Sequence, residues 1–204
     1  MNSSMNLNKN SFEKLVDIAR ARDIKVTVSD LIKRIKQLHN FYTFSFKISL
    51  KDIAQPDVFW KILKIKSKKA ELFAPNIVEC RVTETAPQGF IREIIMKGAH
   101  GLEHARERVI IDDVHKNVLF FIIQTDGKNK LIGINSVESK EEESFFVGTY
   151  VLDIENNAEN TEIMSQIDKA FSRNIEINIQ NIKNFIDKDL VNKTYKELFF
   201  ETHD

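Results

Sequence analysis

Charged residues in the middle of apolar segments are where this sequence could do chemistry. Arg92 stands among Phe90, Ile94 and Met96 at alternate positions, and Glu107 stands with Val109 and Ile111. Period-two alternation marks a strand with one buried face, so both charges are expected to point inward with their apolar companions. On antiparallel neighbours, directly opposed residues share a face, which lets Arg92 meet Glu107 inside. The opposite face then carries Glu93 against Arg106 or Arg108. A buried Arg–Glu pair costs desolvation and needs additional hydrogen bonds. It is either a structural salt bridge or a polar anchor at one end of an apolar pocket, orienting a carbonyl or carboxylate.

Other candidates carry less. Cys80 shares an apolar strand face with Val78 and Val82. A free cysteine in such a place is packing unless a base and a positive field activate it. His100 and His104 frame Glu103 and could ligate a metal from a helix, but Gly98 and Gly101 argue for a surface loop. With six glycines in the chain, neither the dinucleotide-binding fingerprint nor a phosphate-binding loop is present. No catalytic residue, metal or cofactor is assigned.

The elements that must position Arg92 and Glu107 follow from the pattern. Residues 1–10 are polar and expected to fray, and a helix is expected from Ser11, as N-cap, to about Arg22. A second helix near Ser29 places Leu31, Ile32, Ile35 and Leu38 on one side and Lys33, Arg34 and Lys36 on the other. That basic side reads as a solvated face, with docking of an acidic partner as the alternative. Tyr42, Phe44, Phe46 and Ile48 alternate with polar residues as a strand does. Residues 53–73 return to helix, with Val58, Phe59, Ile62 and Leu63 inward and Lys61, Lys64, Lys66, Lys68 and Lys69 outward. Strands are then expected near 77–85, 89–97, 104–111, 117–125, 130–138 and 144–153, separated by short turns, which forces an antiparallel meander. A helix from about 160 to 188 carries Ile163, Ile167, Phe171, Ile175, Ile179, Ile182 and Phe185 at spacings of three and four, and an aromatic tail follows.

A curved seven-stranded antiparallel sheet cannot bury its concave face alone, and the long C-terminal helix is its cover. The fold class is α+β, a sheet gripping a helix, with an N-terminal helical extension over 1–39, the main domain over 40–190 and the tail over 191–204. A sheet that curls without closing leaves an apolar cavity against the helix. Tyr42, Phe44, Phe46, Phe90, Ile94, Met96, Phe171 and Ile175 are expected to line it, with Arg92 and Glu107 as its polar anchor. The paired aromatics Phe120–Phe121 and Phe145–Phe146 make the outer face apolar too, so the N-terminal helices or a second subunit, in a homodimer, should cover it.

Composition sets limits. The chain has 204 residues, 42% hydrophobic, with thirty Lys/Arg balancing thirty Asp/Glu. Neutrality argues against a dedicated nucleic-acid binder. The acidic run Glu141–Glu143 beside Phe145 argues against a single-strand stacking platform. The apolar runs are far short of the roughly 20 residues a membrane helix needs, so stable membrane insertion is not expected. One cysteine and no signal-like apolar start point to a cytoplasmic protein.

Local segments add a resemblance. PDVFWKILKIKSKKAELFAP (Pro56–Pro75), IVECRV (Ile77–Val82), IREI (Ile91–Ile94) and ERVII (Glu107–Ile111) resemble, in order and spacing, the AtaL-like family of the START/birch-pollen-allergen (SRPBCC) helix-grip superfamily. Trp60, Leu63, Phe73, Pro75, Cys80, Arg92, Glu93, Glu107, Arg108 and Val109 fall where its pattern expects them. The resemblance covers about residues 40–186, and the first 38 residues have no counterpart in it. It implies a helix-grip fold around a cavity, and thus non-catalytic binding or carriage of a hydrophobic small molecule, lipid or polyketide-like. A polyketide cyclase or dehydratase using Arg92 and Glu107, without metal, is the alternative. A protein-interaction module with a filled core is the third reading.

Overall fold

The hairpin signals produce one sheet. The computed structural model describes residues 3–21, 23–98, 101–126 and 130–200. Its strands are β1 (Phe41–Ser49), β2 (Ile77–Ala86), β3 (Gly89–Gly98), β4 (Gly101–Asp112), β5 (Asn117–Thr125), β6 (Leu131–Lys140) and β7 (Glu143–Glu155). All neighbours are antiparallel, in the order β1-β7-β6-β5-β4-β3-β2. The turns are tight enough to hold Gln88, Lys116 and Glu141 at positive φ without glycine. The helices are α1 (Ser3–Arg20), α2 (Val28–Lys36), α3 (Pro56–Lys68), α4 (Thr161–Asp187) and α5 (Leu190–Phe199).

Several boundaries differ from the sequence expectation. α1 begins eight residues before Ser11, because no glycine or proline interrupts the polar stretch. Thr27, not Ser29, caps α2: its hydroxyl accepts the Asp30 N–H at 3.1 Å. α3 starts at Pro56, where a missing N–H costs nothing, and a single 3₁₀ turn (Ala70–Leu72) follows it. Residues expected as a tail form α5, split from α4 by Asp189 at positive φ. Gly101 opens β4 and puts His104 on a strand rather than a loop; His100 lies outside the described residues.

The two sheet faces receive different covers. On the convex face, Phe12, Leu15, Val16 and Ala19 of α1 and Leu31 and Ile35 of α2 pack on Ile110, Leu119, Phe121, Ile132 and Val151. The nine residues of α2 are too few to stay helical alone. Burial holds them, at roughly 1.5–3 kcal/mol for each large apolar side chain removed from water. Arg20 locks α1 to β5 through two bonds to the Ile123 carbonyl, at 3.0 and 2.8 Å. The N-terminal helices therefore cover this apolar face. Arg108 departs from expectation: expected to point outward against Glu93, it is 1% exposed and donates to the Pro87 carbonyl at 2.6 Å. Arg106 pairs with Glu84 instead of Glu93.

On the concave face, α3, α4 and α5 close over Phe59, Phe73, Val109, Phe120, Phe146, Ile182 and Phe185. Phe120 and Phe121 are thus divided between the two faces. The buried residues of α4 are Asn178, Ile182 and Phe185, all in its second half. No helix among the described residues is long and apolar enough to cross a membrane.

Candidate functional site

The register of β3 and β4 sets Arg92 directly opposite Glu107. Both are 5% exposed, and both point to the concave side. Arg92 Nε donates to Glu107 Oε2 at 2.7 Å, and Nη2 lies 2.6 Å from the same oxygen in an ion-pair contact. Both contacts fall on one oxygen, so Oε1 takes no protein donor among the described residues. The remaining guanidinium edge is satisfied by the end of α3. Nη1 donates to the Ser67 carbonyl at 2.6 Å and reaches the Lys66 carbonyl at 3.3 Å. These carbonyls lie in the last turn of α3, where no intrahelical partner remains and the helix dipole favours a cation. Phe120 lies under the guanidinium, 5.0 Å from carbon to ring centre. Burial works against the charged guanidinium, but Glu107 more than restores it and holds Arg92 above its usual value.

Beside this pair lies a cavity of about 410 Å³. Phe46, Ile94, Met96, Phe120, Ile122 and Phe146 form its sheet side, and Ile167, Phe171, Asn174, Ile175 and Asn178 of α4 form its roof. Two glycines keep the sheet side low. Phe46 is paired across the strands with Gly148, and Tyr150 with Gly133. A Cβ on Gly148 would collide with the Phe46 ring, and one on Gly133 would press on Tyr150 at 3.0 Å. With no side chain opposite, both rings lie across the sheet. They stack at 6.3 Å, and Tyr150 stacks on Phe171 at 5.3 Å.

Polar groups from the sheet, α3 and α4 interrupt the apolar lining. Tyr150 donates to Asn135 Oδ1 at 2.9 Å, and burial pushes its pKa up to about 12, so it stays a donor. Asn178 spends its amide N–H on the Asn174 carbonyl at 2.8 Å, while its buried Oδ1 finds no donor among the described residues. Lys66 also lines the cavity. Burial first, and the Arg92 charge second, hold its pKa down to about 8. It forms no ion pair among the described residues. Cys80 lies behind Arg92, its Sγ 3.7 Å from Nη1, and burial raises its thiol despite that cation. The thiolate a nucleophile needs is thus disfavoured. A register shift between Ile77 and Glu79 turns Val78 away from the Cys80 face to 47% exposure.

Seven of the ten expected lining residues surround the cavity: Arg92, Glu107, Phe46, Ile94, Met96, Phe171 and Ile175. Tyr42, Phe44 and Phe90 do not. Tyr42 sits next to a register shift at the start of β1 and donates to Asp168 of α4, beside a separate depression. Phe44 stacks on Phe171 at 5.1 Å, outside the cavity. Phe90 is core at the far end of β3. Sequence reasoning missed Asn135, Asn178 and above all Lys66, which it placed outward. The signal was present: Lys66 follows Phe59, Ile62 and Leu63 at helical spacing, on the inward stripe.

This arrangement can hold an apolar molecule and orient one polar end. Among the described residues no three His, Cys, Asp or Glu side chains group as metal ligands. The model of the family described as acetylaranotin biosynthesis cluster protein L, AtaL, matches residues 55–189. No curated protein sequence matches the chain. Solved structures of the same fold include a START superfamily protein from Mycobacterium smegmatis, 9% identical with TM-score 0.55, covering 72% of this chain and 97% of that one. The Zhui aromatase/cyclase from Streptomyces sp. R1128 is 10% identical with TM-score 0.54, covering 78% and 98%. The di-domain ARO/CYC StfQ from the steffimycin biosynthetic pathway is 12% identical with TM-score 0.57, covering 81% of this chain and 62% of that one. At these identities the likeness is one of fold.

Proposed function

This chain belongs to the AtaL family, and from that premise we propose that its concave cavity binds or carries a hydrophobic small molecule, lipid or polyketide-like, without transforming it. The observation that carries this reading is the cavity itself: about 410 Å³, walled by aromatic and aliphatic side chains, with its charges confined to one side. That is the usual make-up of a small-molecule site, in which apolar area supplies affinity and a few polar groups supply orientation. A filled interior would instead have favoured an interaction module. The test is titration with the neutral fluorophore N-phenyl-1-naphthylamine. One molecule should bind per chain, and Ile94→Trp, which narrows the cavity, should weaken binding while the fold persists. Absence of binding to the wild-type chain, with no ligand retained in native mass spectrometry, overturns the proposal.

A second reading is favoured by one observation: Glu107 lines the cavity, and among the described residues its Oε1 has no protein donor. A carboxylate so placed could move a proton while Arg92 polarises a carbonyl, as a cyclase or dehydratase requires. Glu107→Gln separates the two. Under pure binding it changes affinity alone. Under catalysis it stops turnover of a bound poly-β-ketone while binding continues.

A further inference from the structure

The charges that face the cavity do not cancel. Among its lining residues are two cations, Lys66 and Arg92, and one carboxylate, Glu107. Arg92 is fully engaged by Glu107, by the Ser67 and Lys66 carbonyls and by the Phe120 ring. Lys66 has no ion pair among the described residues, although it lies half-buried on the cavity wall beside the Arg92 cation. The stripe it occupies on α3 is otherwise made of Phe59, Ile62 and Leu63, where a methionine or leucine would pack without this cost. An uncompensated buried charge is strongly unfavourable, and a counter-charge from outside the chain relieves it.

We infer that the cavity's ligand is an apolar molecule bearing one carboxylate, which pairs with Lys66 while its apolar body lies against Phe46, Phe120 and Phe171. This rests on the binding reading above and adds the ligand's ionic class to it. Glu107 is not the counter-charge: its ion pair is with Arg92, and it forms none with Lys66. Arg92 cannot accept the carboxylate as its main partner without giving up Glu107 or the α3 carbonyls. Lys66 is the cation left over, a compact donor with no acceptor of its own.

The experiment compares acids with their methyl esters at pH 7, on the full chain, by displacement of N-phenyl-1-naphthylamine. Dodecanoate represents a chain-like body and 2-naphthoate an aromatic one. In the wild-type chain at least one acid should displace the fluorophore about tenfold more tightly than its ester, the factor expected for one charge-assisted contact. The acid that shows the preference identifies the body the cavity takes; both acids showing it identifies the carboxylate alone as the selector. Lys66→Met should remove the preference while keeping fluorophore binding, and should raise the melting temperature by several degrees because an unpaired buried charge is gone. Lys66→Arg, which keeps the charge, should retain part of the preference. Equal binding of acids and esters by the wild-type chain, or an undiminished preference in Lys66→Met, overturns the inference. Failure of the fluorophore to bind at all removes the binding reading beneath it, and so tells the two failures apart.

Discussion

The convex and concave faces of this sheet are made from the same strands, one residue out of phase, and they end in opposite conditions. The convex face is closed: α1 and α2 fit over Ile110, Leu119, Phe121 and Ile132, each 5% exposed or less. The concave face is left with a cavity and keeps Lys66, Arg92, Glu107 and Asn178 beneath its helices. Alternation alone therefore does not decide whether a face becomes core or site. Two short helices can settle into the convex surface independently. One rigid 27-residue helix spanning a curved sheet cannot follow it everywhere. Burial is deepest toward the end of α4, at Ile182 and Phe185, and the cavity remains under its middle, from Ile167 to Asn178.

The largest test of this contrast removes the convex cover. Deleting residues 1–39 should expose the Leu119–Phe121–Ile132 surface and yield self-associating or insoluble protein, seen by size-exclusion chromatography. Next come single side chains. Phe121→Ala, in a filled region, should cost about 3–5 kcal/mol in chemical denaturation. Arg92→Met should cost a similar 3–5 kcal/mol by stranding Glu107, whereas Arg92→Met with Glu107→Leu should cost far less. Phe171→Ala, which borders space already empty, should cost only about 1–2 kcal/mol and should loosen fluorophore binding instead.

The smallest effect is a dependence on pH. Lys66 has a folded pKa of about 8, below its unfolded value of 10.5. Between these values the unfolded chain binds the additional proton, so stability rises with pH across that window and the penalty is fully present below it. The advantage of Lys66→Met over wild type should therefore be fully present at pH 7 and shrink as pH climbs from 8 toward 10.5. Tyr42 and Tyr150 work the other way. Both are raised above 10.0, so the folded chain retains protons the unfolded one loses, and stability falls above pH 10 in wild type and variant alike. Parallel pH profiles for wild type and Lys66→Met would show that Lys66 is not a buried charge.

Much of this was legible before any coordinates. Strand parity placed Arg92 and Glu107 together because period two leaves only two faces, and short turns left only antiparallel pairing. The misplacements share a cause. Parity says which face a residue is on and nothing of how far along the strand the cavity extends, so Phe90 was grouped with Ile94 and Met96. Register shifts, which moved Val78 and flank Tyr42, have no mark in the sequence. Lys66 was lost among five lysines read as one solvated face, although the 3.6-residue repeat separates it from Lys61, Lys64 and Lys68. Arg108 was read as exposed because parity gives a residue's face and says nothing of what packs there; it is 1% exposed and bonded to the Pro87 carbonyl.

The glycines opposite Phe46 and Tyr150 carry a further consequence. They touch no ligand and offer no group to one, yet they decide how low two aromatic rings can lie. A single methyl at position 148 would lift Phe46 into the space above it. Ligand size is thus written partly in positions that a contact map of any bound molecule would leave out. A lineage altering only these two codons could shift from bulky guests to slender ones while every recognising side chain stayed the same.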